Sequence, residues 1–392
     1  MMSIRNPWKK VLCPFCFERF QLAGAWYRCR NSNVTECPEV IDDAYSHHTG
    51  VPNRYMRQAF APPQPNRFGS NQSVASCPQC SKHTTLRICP HCHSRLPAQT
   101  DHVDSKILAV IGGTSSGKSH YIATMVQQLQ SVLGPNMNLK VMGVGDTTRH
   151  NYRQYYYERV YRDKLVLDQT QSAQNNPVIR EPLIYRLEFP RRRLSIRAVN
   201  LVLFDAAGED IQDENTLELY NKYILHASGL IFLINPLQLL SVCEQLDVSP
   251  DNGEVVHHTL ERVVEMYFTA RGFKPGRQIK VPTAFVLSKS DVLESIVDKQ
   301  ASFLQDVPHI GQYDLRDFEI VHEEVKTYLS DWGADGLLSL AESFQPHGFF
   351  AISALGCHPN NLNIPHINPL RAGDPILWLL TRLGYLKPYR SS

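Results

Sequence analysis

From about Asp104 onward, short apolar runs alternate with segments whose apolar positions recur at every third and fourth residue. The runs Ile107–Ile111, Leu183–Phe189, Leu194–Phe204, Gly229–Ile234, Val281–Leu287 and Gly348–Ile352 predict strands, the second and third joined through a turn at Pro190–Arg193. Lys118–Leu133 predicts a helix, with Ile122, Met125, Val126, Leu129, Val132 and Leu133 on one stripe and Gly134-Pro135 as its stop. Further helices are expected over Asp146–Lys164 (polar, Tyr-rich, capped by Asp146 or Thr147), Glu214–Ser228, Val255–Ala270 and Asp374–Leu386. Strands alternating with helices predict an α/β fold, a sheet with helices on both faces.

The first hundred residues lack this periodicity and hold eight of the ten cysteines. Residues 1–49 carry Cys13, Cys16, Cys29 and Cys37, and residues 77–97 carry Cys77, Cys80, Cys89 and Cys92. Between them, 50–76 is rich in Pro, Asn, Gln and Ser and reads as a linker or arm. The expected organisation is therefore two small cysteine modules around that arm, then one domain over 104–388. Charge divides at the same place: the first hundred residues carry twelve Lys and Arg against five acids, the remainder twenty-eight against thirty-three. Basic segments attract nucleic acid or acidic partners, though thiolate-bound metal would cancel much of this excess.

At 43% hydrophobic and 20% charged residues, global disorder is excluded. No stretch nears the ~18 apolar residues of a membrane span, and the first residues lack the apolar run of a signal peptide. The expected compartment is the cytosol, where paired cysteines read as metal ligands rather than disulfides. Cys77-Pro78-Gln79-Cys80 and Cys89-Pro90-His91-Cys92 are two C-x-x-C knuckles of the kind that supply tetrahedral zinc with four thiolates. Cys13-Pro14-Phe15-Cys16 is a third, completed by Cys29 and Cys37, with His47, His48, His83, His91 or His93 as substitutes. Exchange of partners between the two sets stays open, because 50–76 can loop out. Zinc supplies what a segment too small for a core lacks. The sharper alternative is a recognition surface of Arg28, Arg30, Arg87 and Arg95 with Trp26 and Tyr27 as stacking faces, for protein or nucleic acid.

Gly112-Gly113-Thr114-Ser115-Ser116-Gly117-Lys118-Ser119 fits the phosphate-loop pattern between a predicted strand and a predicted helix. Glycines let the backbone approach phosphate oxygens, and the helix N-terminus offers N–H donors. The candidate nucleotide contacts here are Gly112, Gly113, Ser115, Ser116, Gly117, Lys118, Ser119 and His120, with Lys118 on the β- and γ-phosphates and Ser119 on magnesium. Asp205, closing the next apolar strand in Phe204-Asp205-Ala206-Ala207-Gly208-Glu209, is a magnesium candidate, and Gly208 a γ-phosphate donor. Ser288-Lys289-Ser290-Asp291 ends another strand: the Asp291 carboxylate can accept two hydrogen bonds from guanine, which adenine does not offer, while the Lys289 stem lies over the base. Backbone of Ser353-Ala354-Leu355 is placed to touch the base carbonyl.

In this order the four segments GGTSSGKS, DAAG, SKSD and SAL resemble the Ras-like GTPases of the translation-factor-related class, over about residues 104–388. More narrowly, the chain is similar to the bacterial double-GTPase proteins of conflict or defence systems. That resemblance implies an N-terminal zinc segment, GTP/GDP with magnesium as cofactors, and a second GTPase as protein partner. It implies a first-switch threonine, for which Thr170 is the candidate and Thr147 and Thr148 are rivals. It also sets two departures. Ser288 stands where Asn or Thr is usual, its hydroxyl available to brace the phosphate loop. Glu209 stands where Gln orients water, and its charge opposes the phosphate, so hydrolysis is expected to be slow or partner-stimulated, with Lys118, Glu209 and Thr170 as the catalytic candidates. Arg180 and Arg191–Arg193 are charge donors or simply solvated turns. Two alternatives remain: a zinc-ribbon adaptor with a nearly inactive regulatory nucleotide site, and a nucleic-acid-stimulated ATPase.

Overall fold

The structure is a computed structural model that describes residues 8–63, 73–113, 115–167, 181–190, 196–205, 214–251, 256–274 and 276–389. The chain divides into two compact units, one within Met1–Ser105 and Asn176–Pro182, the other within Lys106–Asn175 and Leu183–Ser392.

The larger unit is built on seven strands: β1 (Asp104–Gly112), β2 (Lys140–Gly143), β3 (Leu183–Pro190), β4 (Ile196–Phe204), β5 (Gly229–Ile234), β6 (Thr283–Leu287) and β7 (His347–Ala351). Their order is β2-β3-β4-β1-β5-β6-β7. β1, β5, β6 and β7 run parallel, whereas β2 pairs antiparallel with β3, and β3 with β4. Every residue of β5 and β6 is buried, so both faces of the sheet are covered there. Continuous apolar runs are what such doubly covered strands require. β2 is not among the strands the pattern predicts. Its four residues alternate between exposed and half-buried at an edge, which leaves little apolar signal.

Eight helices are labelled here: α1 (Lys118–Gln128), α2 (Gly145–Asn151), α3 (Glu214–Leu225), α4 (Leu240–Leu246), α5 (Val256–Arg271), α6 (Leu315–Asp331), α7 (Asp335–Ala341) and α8 (Asp374–Arg382). Gly134-Pro135 does not stop the first of them. α1 widens into a π turn at Leu129–Leu133 and runs on through Asn136. A proline ring in a regular helix collides with the carbonyl four residues back, and the wider turn relieves that contact. α2 likewise continues as a π-helix over Tyr152–Arg162. α6 starts where the Asp314 carboxylate accepts the N–H groups of Arg316 and Asp317, a side-chain cap. The indole of Trp378, on the buried α8, packs against Phe318 and Phe350 at ring separations of 5.6 and 5.7 Å. Beneath it Arg371 grips Asp317 through two 2.8 Å bonds and Asp374 through one of 2.7 Å, and His309 Nε2 meets the other Asp374 oxygen at 2.8 Å.

Among its described residues the smaller unit has no comparable sheet. Its centre is the strand Trp26–Arg28, paired antiparallel with Ala59–Phe60 on one side and with Arg87–Ile88 on the other. A buried ion pair, Arg28 with Asp42 at 2.7 Å, ties this strand to the helix Asp43–Thr49, whose first turn Asp42 also caps through the N–H of Tyr45. His93 Nδ1 reaches the same Asp42 oxygen as Tyr45, Oδ1, at 2.7 Å.

Candidate functional site

β1 delivers the chain into the phosphate loop and α1 takes it away. Gly112 is fixed by packing: a Cβ there would lie 2.6 Å from the Ser116 hydroxyl and 2.9 Å from the Leu233 carbonyl. Ser115 and Gly117 adopt positive φ (+60° and +84°), the turn that aims successive N–H groups at one point. The Lys118 ammonium lies on the loop it springs from, donating to the carbonyls of Gly112 and Gly113 at 2.6 and 3.1 Å.

A cavity of about 530 Å³ opens beside this loop. Gly113, Ser115, Ser116, Gly117, Lys118, Ser119 and His120 line one side, and Ser288, Lys289, Asp291, Ser353, Ala354 and Leu355 line another. Two segments more than 150 residues apart in sequence thus converge on one space. Asp291 Oδ1 accepts the Ser353 hydroxyl at 2.5 Å, and Ser353 Oγ in turn accepts the N–H of Gly356 at 2.8 Å. That chain fixes the carboxylate against the loop that follows β7.

Ser288 corrects an expectation. Its hydroxyl donates to the Ile234 carbonyl at 3.1 Å, not to the phosphate loop. The residue that reaches that loop is Asn235, fully buried, whose amide lies 3.5 Å from the Ser115 carbonyl. His120 belongs to the cavity wall but is already engaged, Nε2 accepting the Leu167 N–H at 2.9 Å. Burial, with the Lys289 charge, pulls its pKa down to about 4, so it is the neutral acceptor this bond needs.

Asp205 ends β4 behind the loop. Its Oδ2 accepts the Tyr156 hydroxyl at 3.0 Å, while Oδ1 is buried without a partner. Burial raises its pKa, opposed by hydrogen bonds from Ser119 and Tyr156 and by the Lys118 charge. An orphaned carboxylate oxygen beside a serine hydroxyl fits magnesium, so Ser119 and Asp205 are the residues that would hold it. Tyr156 carried no sequence signal as a site residue; it sits on the π-helix, where such segments are often functional. The hydroxyl of Thr148, one rival for the switch threonine, accepts the Ile184 N–H at 3.2 Å. Thr170, Gly208 and Glu209, together with Thr114, Arg180 and Arg191–Arg193, lie outside the described residues.

The cysteines form two quartets, paired otherwise than in chain order: Cys13, Cys16, Cys89 and Cys92, and Cys29, Cys37, Cys77 and Cys80. The completion of Cys13 and Cys16 by Cys29 and Cys37 is therefore overturned. The cause is the antiparallel pairing of Trp26–Arg28 with Arg87–Ile88, which sends Cys29 and Cys89, each next in sequence, to opposite ends of the ladder. All three knuckles share one geometry. Phe17, Ser81 and His93, each directly after a C-x-x-C, have φ of +60°, +58° and +55°. Sulfur separations of 3.6 to 3.9 Å match the roughly 3.8 Å edge of a tetrahedron with bonds of about 2.3 Å to zinc. Burial pushes Cys37 up to about 12, while the Lys82 N–H draws Cys80 down to about 7.

The recognition surface expected on this unit loses three of its members. Arg28 is buried on Asp42, Arg87 pairs with Asp101, and Tyr27 is buried against Phe60. Arg30 and Arg95 remain exposed.

Fold and cavity together define a P-loop GTPase-type domain: a mixed sheet, a phosphate loop between strand and helix, and an acidic purine-side loop at the same end. The Double-GTPase 2 family model matches residues 106–332, more than half of the chain, and the chain belongs to that family. It is a guanine-nucleotide-binding P-loop protein of the double-GTPase type. A candidate ESX-1 scaffolding and assembly protein of Mycolicibacterium smegmatis, SaeC, is 27% identical over 397 residues, 95% of this chain and 99% of that protein. Among solved structures, the Arl6 BBS3 small GTPase of Trypanosoma brucei with GppNp is 13% identical, covering 72% of this chain and 99% of that one, with a TM-score of 0.32. A GTP-binding protein of Sulfolobus solfataricus with GDP is 14% identical over 71% of this chain and 53% of its own, at 0.27. Superpositions this loose add nothing to the family assignment.

Proposed function

We propose that the larger unit binds magnesium-GTP and hydrolyses it slowly, at a pace set by a protein partner, and that its nucleotide state governs assembly of a protein complex. The observation that carries this reading is the single cavity between Lys118 and Asp291. One end offers a phosphate loop; the other offers a carboxylate fixed by Ser353, matched to the paired donors of guanine. Magnesium held by Ser119 and Asp205 would neutralise phosphate charge. The two cysteine quartets each hold zinc in this reading, which staples a unit whose buried clusters are small and gather at the cysteines. Among the described residues no helix is long and apolar enough to cross a membrane.

Titration of the protein with GTP and ATP, with and without Asp291→Ala, tests it. The wild type is expected to prefer GTP and the variant to lose that preference; unchanged selectivity would count against the assignment. A second reading, a scaffold whose nucleotide site is nearly inert, has its support in the SaeC relative, which aligns over almost the whole chain. Single-turnover phosphate release, by the protein alone and with a partner, separates the two: slow release that the partner accelerates removes the scaffold reading, and no release in either arm removes the first.

A further inference from the structure

Ser288 leaves the phosphate loop without the brace that a longer side chain at its position would give, and other residues span the gap. Asn235 is fully buried at the end of β5, with Oδ1 accepting the Leu237 N–H at 3.2 Å. Its Nδ2 divides between the Ser115 carbonyl at 3.5 Å and Asp251 Oδ2 at 2.8 Å. The same Asp251 oxygen accepts the Lys289 ammonium at 2.9 Å. Asp251 is itself set by its N–H, which donates to the Leu237 carbonyl at 2.9 Å. Lys289 holds a left-handed backbone (φ +52°), a conformation a lysine adopts at a cost, and strain of this kind concentrates at ligand sites. Asp251 and Lys289 both line the nucleotide cavity.

We infer that Asp251 is a positioning residue of the guanine site: it clamps Lys289 so that its alkyl stem forms a wall for the base, and through Asn235 it ties that wall to the phosphate loop. The inference rests on the guanine reading of the cavity. It explains how the site tolerates serine at position 288, because the link between base loop and phosphate loop runs through an amide and a carboxylate from the segment after β5. The carboxylate is required: an amide in its place keeps the shape but loses the charge that holds the ammonium.

The test is stopped-flow release of a fluorescent GDP from the full chain, with thermal unfolding recorded in parallel. Asp251→Asn is expected to release GDP about tenfold faster, the scale of one lost charge-assisted bond, with its unfolding temperature unchanged. In a Lys289→Met background the same change is expected to add less than twofold, because the ammonium it clamps is gone. Release unaltered by Asp251→Asn, effects that multiply fully in the double variant, or faster release that only follows a fall in unfolding temperature would each overturn the clamp. Should the wild type bind no GDP at all, the guanine reading itself fails, and that outcome is read separately from the variants.

Discussion

The two units solve the same problem with different materials. In the larger one, β5 and β6 are buried along their whole length and α8 packs against Phe318 and Phe350, so apolar burial dominates, with one enclosed polar network at Arg371 besides the groups of the cavity. In the smaller one the buried residues cluster around sulfur, and the central strand is secured by an ion pair, Arg28 with Asp42, of which both side chains are almost fully enclosed. The lesson is that a chain of this length does not distribute its stability evenly. One unit depends on area removed from water; the other, with zinc bound as proposed, depends more on a few ligands and charges.

With zinc in both quartets, as proposed, the largest break in that comparison is removal of metal. Structural zinc supplies on the order of 10 kcal/mol or more of folding free energy. Chelation, or Cys29→Ser alone, is expected to unfold the smaller unit, read as loss of hydrogen-exchange protection at Trp26–Arg28, while the larger unit keeps GDP. Because both quartets depend on that strand, zinc content in Cys29→Ser is expected to fall from two ions towards none. Retention of one ion would mean the quartets fold independently.

A smaller break is Asp42→Asn. It leaves the Arg28 guanidinium buried without its counter-charge, a change that costs about 3–5 kcal/mol in comparable settings. The expected result is earlier unfolding of the smaller unit with zinc still bound at moderate temperature. A shift below about 1 kcal/mol, the scale of an exposed pair, would contradict the enclosed geometry.

The smallest effect lies in the larger unit and depends on pH. Burial lowers the pKa of His309, but the hydrogen bond and charge of Asp374 and the charge of Asp317 outweigh it, with Arg371 opposing, and the net shift is upward. A raised folded-state value stabilises the fold fully below the unfolded value, about 6.5, and the contribution is lost as pH rises through the folded value. Urea midpoints of wild type and His309→Gln should therefore differ most at pH 6 and converge towards pH 9. A gap that widens with pH would reverse the assignment.

How far these features were legible in the sequence follows from the range of the forces that make them. The phosphate-loop pattern is local, a short run of glycines, Lys118 and Ser119, and the apolar runs of β5 and β6 announce burial on both faces without reference to anything else. The cysteine quartets are not local. Knuckle spacing reveals ligands, but which knuckles share an ion is decided by the antiparallel pairing of Trp26–Arg28 with Arg87–Ile88, two short strands with little pattern of their own. Arg28 shows the same limit, since a basic residue beside cysteines looks like a surface contact until Asp42 is seen against it. Asn235, Asp251 and Tyr156 carry no motif, and the bonds that tie them to the phosphate loop, to Lys289 and to Asp205 link parts of the chain 16 to 120 residues apart.

The exchange of cysteine partners bears on synthesis as well as on stability. Each quartet takes ligands from both sides of residues 50–76, so the first four cysteines leave the ribosome well before their partners. The Cys29 quartet cannot close until Cys80 has emerged, nor the Cys13 quartet until Cys92 has followed. During translation the early thiols wait as open chelators, and neither quartet is complete before the last of its knuckles arrives.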